Sequence, residues 1–238
     1  TTIRLGFRQV KGLSRSAAEN IVIQRALQTW VSLEDFLQRT HIPKDQRRVL
    51  AKIGALNALA GHRRSALWQV EHYLDEEDLF SWAARRTNVA SVSENLPPLS
   101  NMNAIERLRA DYEGLDLTTG KHPMAYVRAQ LSGALTAYDL LQRKHGDQVE
   151  VAGLVVCRQR PGTAKGNLFI SLEDETGISN TFVPSPMYEK HRLTITQESF
   201  LRIRGRLQKV DNVTSIYTEH VEPLEFATKL QPQSHDFH

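Results

Sequence analysis

A glycine, basic side chains and a predicted helix start lie together in the stretch VKGLSR, and this combination can bind a phosphate group. Gly12 stands next to apolar Leu13, with Lys11 and Arg15 on either side. Glycine permits a tight turn and a close backbone approach. The start of the following helix presents free N–H groups and positive dipole to an anion. The stretch is therefore either a phosphate-binding hairpin or an ordinary structural turn.

A second stretch, AKIGAL, repeats the pattern of an apolar residue, glycine and a further apolar residue around Gly54. One such hairpin is weak support, because glycine turns between helices are common. Two hairpins can grip the phosphates of both strands of a duplex without reading its sequence. We therefore predict duplex binding by this part of the chain. Its predicted DNA-binding residues are Lys11, Gly12, Leu13, Arg15, Arg47, Arg48, Lys52, Gly54, Arg63 and Arg64.

The distribution of charge supports this prediction. Residues 1–70 contain 12 Lys and Arg against 4 Asp and Glu, whereas residues 71–118 contain 4 against 10. The net charge of the whole chain is only +3. Such a basic block favours a polyanionic partner, although a basic face exposed to solvent has the same composition.

Periodicity divides the chain into two predicted domains with connectors, so the predicted fold class is multidomain α+β. Apolar residues recur every three or four positions in residues 1–74, which predicts an all-α helix-hairpin-helix domain. Alternation in residues 147–226 predicts an all-β OB-fold barrel. Between them we predict an acidic linker at 75–100 and a helical connector at 101–146, and residues 227–238 are expected to form a flexible tail. The predicted strands are 148–158, 166–174, 178–183, 199–210 and 214–223.

The barrel offers a second nucleic-acid surface. Arg158, Arg160 and Lys165 lie in or beside the first hairpin loop and are predicted to contact DNA. Phe169 is expected in the barrel core rather than on a stacking surface. Arg202, Arg204 and Arg206 alternate along one predicted strand, which places them on one face of the sheet, as a nucleic-acid surface or as an ordinary solvated face.

The acidic linker contains a short partner-binding candidate. Glu76, Leu79 and Phe80 lie in DEEDLF, a pattern that can insert two apolar side chains into a partner's pocket. The alternative is a helix end on which Leu79 and Phe80 pack locally. We find no catalytic constellation and no metal site, since the nine histidines are scattered. Glu173, Asp174 and Glu175 are interpreted as a turn.

Cellular context is indicated by composition. The single cysteine, Cys157, excludes an internal disulfide and fits a reducing, cytoplasmic compartment. No apolar stretch approaches the roughly 20 residues of a membrane helix, so no membrane partner is expected.

Several stretches together resemble a known family. GFRQVKGLSRSAAENIVIQR, RRVLAKIGALNALAGHRRSALW, GKHPM and VAGLVVCRQRPGTAKGNLFISLEDETG are similar to the C-terminal part of bacterial DNA polymerase III α subunits. GLVVCRQRPGTAKG resembles the damage-inducible, error-prone (ImuC-type) paralogue more than the replicative subunit. The likeness covers nearly the whole chain.

The resemblance implies a C-terminal fragment of a translesion DNA polymerase. The palm aspartates that hold catalytic magnesium in the family match nothing here, so the fragment itself is expected to be inactive and without a cofactor. In replicative relatives the position of DEEDLF holds a sliding-clamp pentapeptide that begins with Gln. Glu76 departs from that pattern, so we expect weak clamp affinity and contact instead with an inactive Y-family mutasome partner.

Three hypotheses follow for function. The first is that the chain grips product duplex through backbone phosphates, while the barrel contacts single-stranded template or a partner. The second is a protein-interaction module that docks mutasome partners or the sliding clamp. The third is a free-standing DNA-junction-binding protein that combines the same two modules.

Overall fold

The computed structural model describes residues 4–73, 99–211, 213–224 and 235–237. The chain divides into two compact units, Thr1–Thr118 and Thr119–His238. The first unit is helical and the second contains the sheet. Within the part of the chain that is described, no helix has both the length and the apolar character needed to cross a membrane.

Short helices form the described part of the first unit, as the three-and-four spacing predicts. Leu33, Leu37, Leu50 and Val70 lie in its apolar core and are almost completely buried. The helices are α1 (Arg15–Leu27), α2 (Leu33–Thr40), α3 (Lys44–Lys52), α4 (Asn57–Ala60), α5 (Arg63–His72) and α6 (Ala104–Leu115).

Side-chain caps fix where two of these helices begin. The Ser14 hydroxyl accepts a hydrogen bond from the Ala17 amide at 3.2 Å, and Ser32 accepts one from Asp35 at 3.0 Å. Each cap satisfies one of the first-turn N–H groups that lack a helical partner. The sequence therefore sets these two boundaries locally, and α1 begins immediately after the first glycine turn.

Helix α6 belongs to the first unit, and this divides the predicted 101–146 connector between the two units. Arg63 of α5 forms a buried ion pair with Asp111 of α6 at 2.7 Å, with side chains 9% and 3% exposed. The same guanidinium donates a hydrogen bond to the Arg107 carbonyl at 3.1 Å. At the other end of α6, the Lys11 amide donates to the Gly114 carbonyl at 2.8 Å. These contacts make α6 part of the helical core rather than a linker.

All five predicted strands are present in the second unit and close into a barrel in the order β1-β2-β3-β5-β4-β1. The connection after β3 contains α9 (Ser185–Lys190) and α10 (Arg192–Gln197), as an OB barrel requires. The predicted OB fold is thus confirmed. The five strands are β1 (Gln148–Gln159), β2 (Leu168–Asp174), β3 (Gly177–Val183), β4 (Phe200–Val210) and β5 (Val213–Pro223).

Alternation along the strands separates core from surface. Val149 and Val151 of β1 and Leu201, Ile203 and Leu207 of β4 point into the barrel core. The intervening residues face outward. The predicted flexible tail is wrong for its last residues, because β6 (His235–Phe237) pairs in parallel with Cys157–Gln159 of β1. Backbone hydrogen-bonding groups at this edge of β1 account for the added strand.

The remainder of the predicted connector packs on the barrel through α7 (Pro123–Val127), a 3-10 turn at Arg128–Gln130 and α8 (Ala137–Leu140). Arg128 donates to Asp174 and Glu175 at the β2–β3 turn. Asp174 also accepts from the amides of Ala137 and Gly177. Glu173 and Asp174 are thus the last residues of β2, and Glu175 lies in the turn interpreted from the sequence; together they anchor the segment before the barrel.

His122 caps the N terminus of α7, and Nδ1 of its ring accepts a hydrogen bond from the Met124 amide. Burial lowers the pKa of His122, while Glu173 and neighbouring carboxylates act in the opposite direction. An acceptor Nδ1 requires the neutral ring, so the lowered pKa and the cap agree.

Gly205 of β4 is a position where the barrel leaves no room for a side chain. A Cβ there would overlap the Tyr217 carbonyl, where the β4–β5 pairing shifts register. We expect Gly205→Ala to lower the free energy of unfolding of the barrel by about 1–3 kcal/mol, measured by urea denaturation. Gly162→Ala is the control, because nothing lies within 4 Å of its Cβ position. Equal stability of the two variants would contradict this close packing.

The Arg63–Asp111 pair gives a second expectation. Removing one partner of a buried ion pair leaves the other charge uncompensated. Arg63→Ala should therefore destabilise the first unit by about 3–5 kcal/mol, seen as an earlier urea transition. Lys52→Ala, which removes an exposed cation of α3, should change stability by less than about 0.5 kcal/mol. An Arg63→Ala variant as stable as the Lys52→Ala variant would show that the pair does not hold α6.

Candidate nucleic-acid interface

The first hairpin, residues 10–14, has the open geometry that a phosphate contact needs. Gly12 adopts a positive φ of 72°, a conformation that L side chains rarely adopt. Nothing lies within 4 Å of the position that a Cβ would occupy. The Ser14 amide is held by the Gln46 side chain at 3.0 Å, which fixes the hairpin to α3. The turn is thus rigidly placed and its glycine faces open space.

The N terminus of α1 and two cations surround this glycine. The first-turn amides of α1, a 13-residue helix, carry a partial positive charge that attracts an anion. The Arg15 side chain is 91% exposed and pairs with Glu19 one helical turn later. Lys11 is about half exposed and contacts Asp116 at 2.5 Å. Both cations are accessible, so this hairpin keeps all the features predicted for it.

The second hairpin, residues 52–56, has the predicted turn but not the open surface. Gly54 also has a positive φ, of 81°. Its Cβ position, however, lies 2.8 Å from Nε of Arg63 and 3.0 Å from the Asn57 side chain. The face of this glycine is therefore covered by the arginine that binds Asp111. The second hairpin therefore lacks the open surface of the first at its glycine, and a phosphate contact by Gly54 stays a prediction.

Two arginines of the basic block are internal, which corrects their predicted role in DNA binding. Arg47 is 3% exposed and its guanidinium lies 5.3 Å from the Tyr73 ring centroid. Arg63 is 8% exposed and serves the ion pair with Asp111. Amphipathic spacing in α3 and α5 turns these positions inward, where their long side chains pack as part of the core.

The other cations of the block remain on the surface. Arg48 forms a two-pronged contact with Glu71 of α5, and its hydrogen bonds lower the pKa of Glu71 from 4.5 to about 2. Arg64 binds Glu106 at 2.7 Å and the hydroxyl of Ser100 at 2.8 Å. Lys52 is exposed. Arg48 and Arg64 can meet a phosphate only by sharing or leaving these partners.

In the barrel, the three predicted loop cations separate into one buried and two exposed residues. Arg158 is 7% exposed and donates to the carbonyls of Ile195 and Glu198 at 2.6 Å, which corrects its predicted DNA contact. Arg158 instead binds carbonyl groups at the C-terminal end of α10. Arg160 lies 4.4 Å over the Tyr188 ring, and Lys165 is exposed in a left-handed conformation. The loop thus presents two cations to solvent.

Three aromatic side chains form a row across the outside of the barrel, named here the aromatic row: Phe169, Phe182 and Tyr217. They are register partners on β2, β3 and β5. Their ring centroids are 5.4 Å and 5.7 Å apart. Phe169 is 43% and Tyr217 38% exposed, so the expectation that Phe169 lies in the core is wrong.

Polar and basic residues border the aromatic row. Arg206 is the register partner of Tyr217, and Gln159 is that of Phe169. Arg204 and Arg206 are exposed on β4, whereas Arg202 is held by Glu150 and Glu222. Flat aromatic rings beside cations can stack unpaired bases and attract their phosphates.

Sequence reasoning missed Phe182 and Tyr217. The available signal was outward alternation, since each lies at an odd step from a buried residue of its strand. Recognising the row also needs the register of three strands. The partner-binding candidates Glu76, Leu79 and Phe80 lie outside the described residues. Among those described, no group of three or more His, Cys, Asp or Glu could hold a metal ion.

Family models match both units. A model described as a helix-hairpin-helix motif matches residues 1–66, and one described as an OB-fold nucleic acid binding domain matches residues 149–224. The second match contains the whole aromatic row. The first contains both hairpins, so the fold class predicted from periodicity agrees with the models.

Curated relatives match along nearly the full chain. Error-prone DNA polymerases of Xanthomonas campestris pv. campestris and Anaeromyxobacter dehalogenans are 36% identical over 99% of this chain, and error-prone DNA polymerase 3 of Agrobacterium fabrum is 37% identical over 92%. The chain spans only about a fifth of the length of these relatives, 21%, 20% and 21% respectively. The chain is therefore homologous, over nearly its whole length, to the C-terminal part of error-prone DNA polymerases.

Proposed function

We propose that the chain is the DNA-binding C-terminal part of an error-prone polymerase that copies past lesions in damage-induced mutagenesis. The observation that carries this proposal is the open first hairpin, with a positive-φ glycine, a capped helix start and two accessible cations. Relatives named error-prone DNA polymerase support the same assignment. The DNA contact is to backbone phosphates, so it grips newly made duplex of any sequence.

In this proposal, the barrel contacts the template strand. Its exposed aromatic row and neighbouring arginines favour an unpaired strand, because stacking needs bases that are free of a duplex. Catalysis, and the aspartates that bind magnesium, belong to other parts of the polymerase. A mutasome partner and the sliding clamp remain proposed protein partners, with the clamp weakly bound.

Protein binding by the first unit is a second candidate function, favoured by one exposed apolar strip. Ile23 and Leu27 of α1 and Val31 after it are 57%, 74% and 78% exposed. Ile23 and Leu27 are four residues apart in α1, which places both on one side of the helix end, and Val31 follows three residues after the C-cap. This strip is separate from the first hairpin, so protein and DNA contacts are compatible on this unit.

Duplex binding is tested by removing the two cations of the first hairpin. Lys11→Ala with Arg15→Ala should weaken duplex binding similarly for unrelated sequences and flatten the salt slope by up to about 0.9 per lost contact. Fluorescence anisotropy at several salt concentrations measures both.

Arg25→Ala is the matched control. Arg25 is exposed in the last turn of the same helix, roughly 15 Å along its axis from Arg15. The Arg25→Ala control removes one positive charge far from the hairpin, against two in the double variant. If the double variant and the control keep the same affinity and salt slope, the hairpin is not the duplex site and the protein-interaction hypothesis gains support.

Single-strand binding is tested by removing rings while retaining apolar volume. Phe169→Leu and Phe182→Leu should each weaken binding of a single-stranded oligonucleotide by about 1–3 kcal/mol, because each removes a stacking surface. Duplex affinity should stay unchanged, since the first hairpin is intact. Titration of both DNA forms gives the two affinities.

Leu193→Ala serves as the control on the barrel. Leu193 lies on α10 and is 70% exposed, but it is outside the aromatic row. Thermal unfolding of each variant checks that the barrel persists. Unchanged single-strand affinity in both Leu variants would reject the row as a base-binding surface.

A further inference from the structure

Helix α6 places three carboxylates against three of the cations that were predicted to bind DNA. Asp111 binds Arg63 and Glu106 binds Arg64, each at 2.7 Å. Asp116, the residue that ends α6, binds Lys11 at 2.5 Å. Carboxylates of α6 and its C-cap thus pair with Lys11 of the first hairpin and with two arginines at the start of α5.

The three pairs differ in how easily a phosphate can replace the carboxylate. The Arg63–Asp111 side chains are 9% and 3% exposed, so this pair is internal. The Lys11–Asp116 side chains are 47% and 51% exposed, and those of Arg64–Glu106 are 34% and 42% exposed. Exposed ion pairs are weak and screened by salt, whereas contacts to an array of phosphates release condensed counterions.

We propose that α6 is an internal competitor for DNA, with Asp116 and Glu106 occupying the cations that duplex phosphates take over on binding. The buried pair keeps α6 in place while the outer pairs exchange. This inference rests on the proposed duplex binding. It adds that the grip is held below its maximum by the protein's own carboxylates, which suits a surface along which newly made duplex must slide.

Two conservative substitutions remove the competing charges and keep the local fold. Asp116 has a positive φ of 58°, a conformation that Asn tolerates well, so Asp116→Asn preserves the helix end. Glu106 closes a capping box with Asn103, and Gln serves equally at that position. Arg64 keeps its hydrogen bonds to Ser100 in Glu106→Gln.

The experiment measures duplex affinity of the full 238-residue chain by fluorescence anisotropy at low and high salt. Each substitution should tighten binding about two- to fivefold at low salt, with a smaller gain at high salt. Glu113→Gln is the control, because it removes a charge from an exposed residue of the same helix. It should change affinity by much less.

A double variant ties the effect to the pair itself. In a Lys11→Met background, Asp116→Asn should give no more gain than the Glu113→Gln control. Equal effects of Asp116→Asn and Glu113→Gln in the wild-type background would overturn the inference while leaving duplex binding intact. A wild-type chain that binds no duplex would instead contradict the proposed function. In that case, failure of Asp116→Asn to create binding would overturn the inference too.

Discussion

The buried ion pair between Arg63 and Asp111 is the interaction on which the first unit depends. Arg63 of α5 contacts residues of α6 that lie 44 or more positions further along the chain. These contacts place α6 beside the second hairpin. Because the Arg63 side chain fills the space beside Gly54, the same pair decides that this hairpin is closed. The first hairpin is left as the open one, so a single internal contact assigns different roles to two similar sequence patterns.

In the barrel, the register of strand pairing determines which side chains lie next to one another. Alternation alone turns Phe169 outward, but only the pairing of β2 with β3 and of β3 with β5 aligns it with Phe182 and Tyr217. Arg158 shows the opposite outcome, since its position in β1 points it inward, where it binds two carbonyls near the end of α10. Basic character therefore indicates a candidate nucleic-acid region, and the strand register determines which of its side chains are exposed.

Local patterns allowed much of the fold to be predicted. Glycine turns and period-two alternation each depend on neighbouring residues, and the structure contains both. The place of α6 could not be predicted in this way, because its ion pairs link residues distant in sequence. Arg47 and Arg63 show a different limit: helical spacing places them with the buried residues of α3 and α5, but their basic character suggested a surface role.

Charge balance in the first unit has a physical consequence for how it would hold a duplex. The block of residues 1–70 is strongly basic, yet several of its cations already have carboxylate partners in the folded unit. Such partners lower the net field that a duplex meets without removing the cations from the surface. Affinity then depends on exchange of partners rather than on charge alone. In the proposed function, a surface built this way would bind backbone phosphates moderately at every register, which is the property that duplex sliding requires.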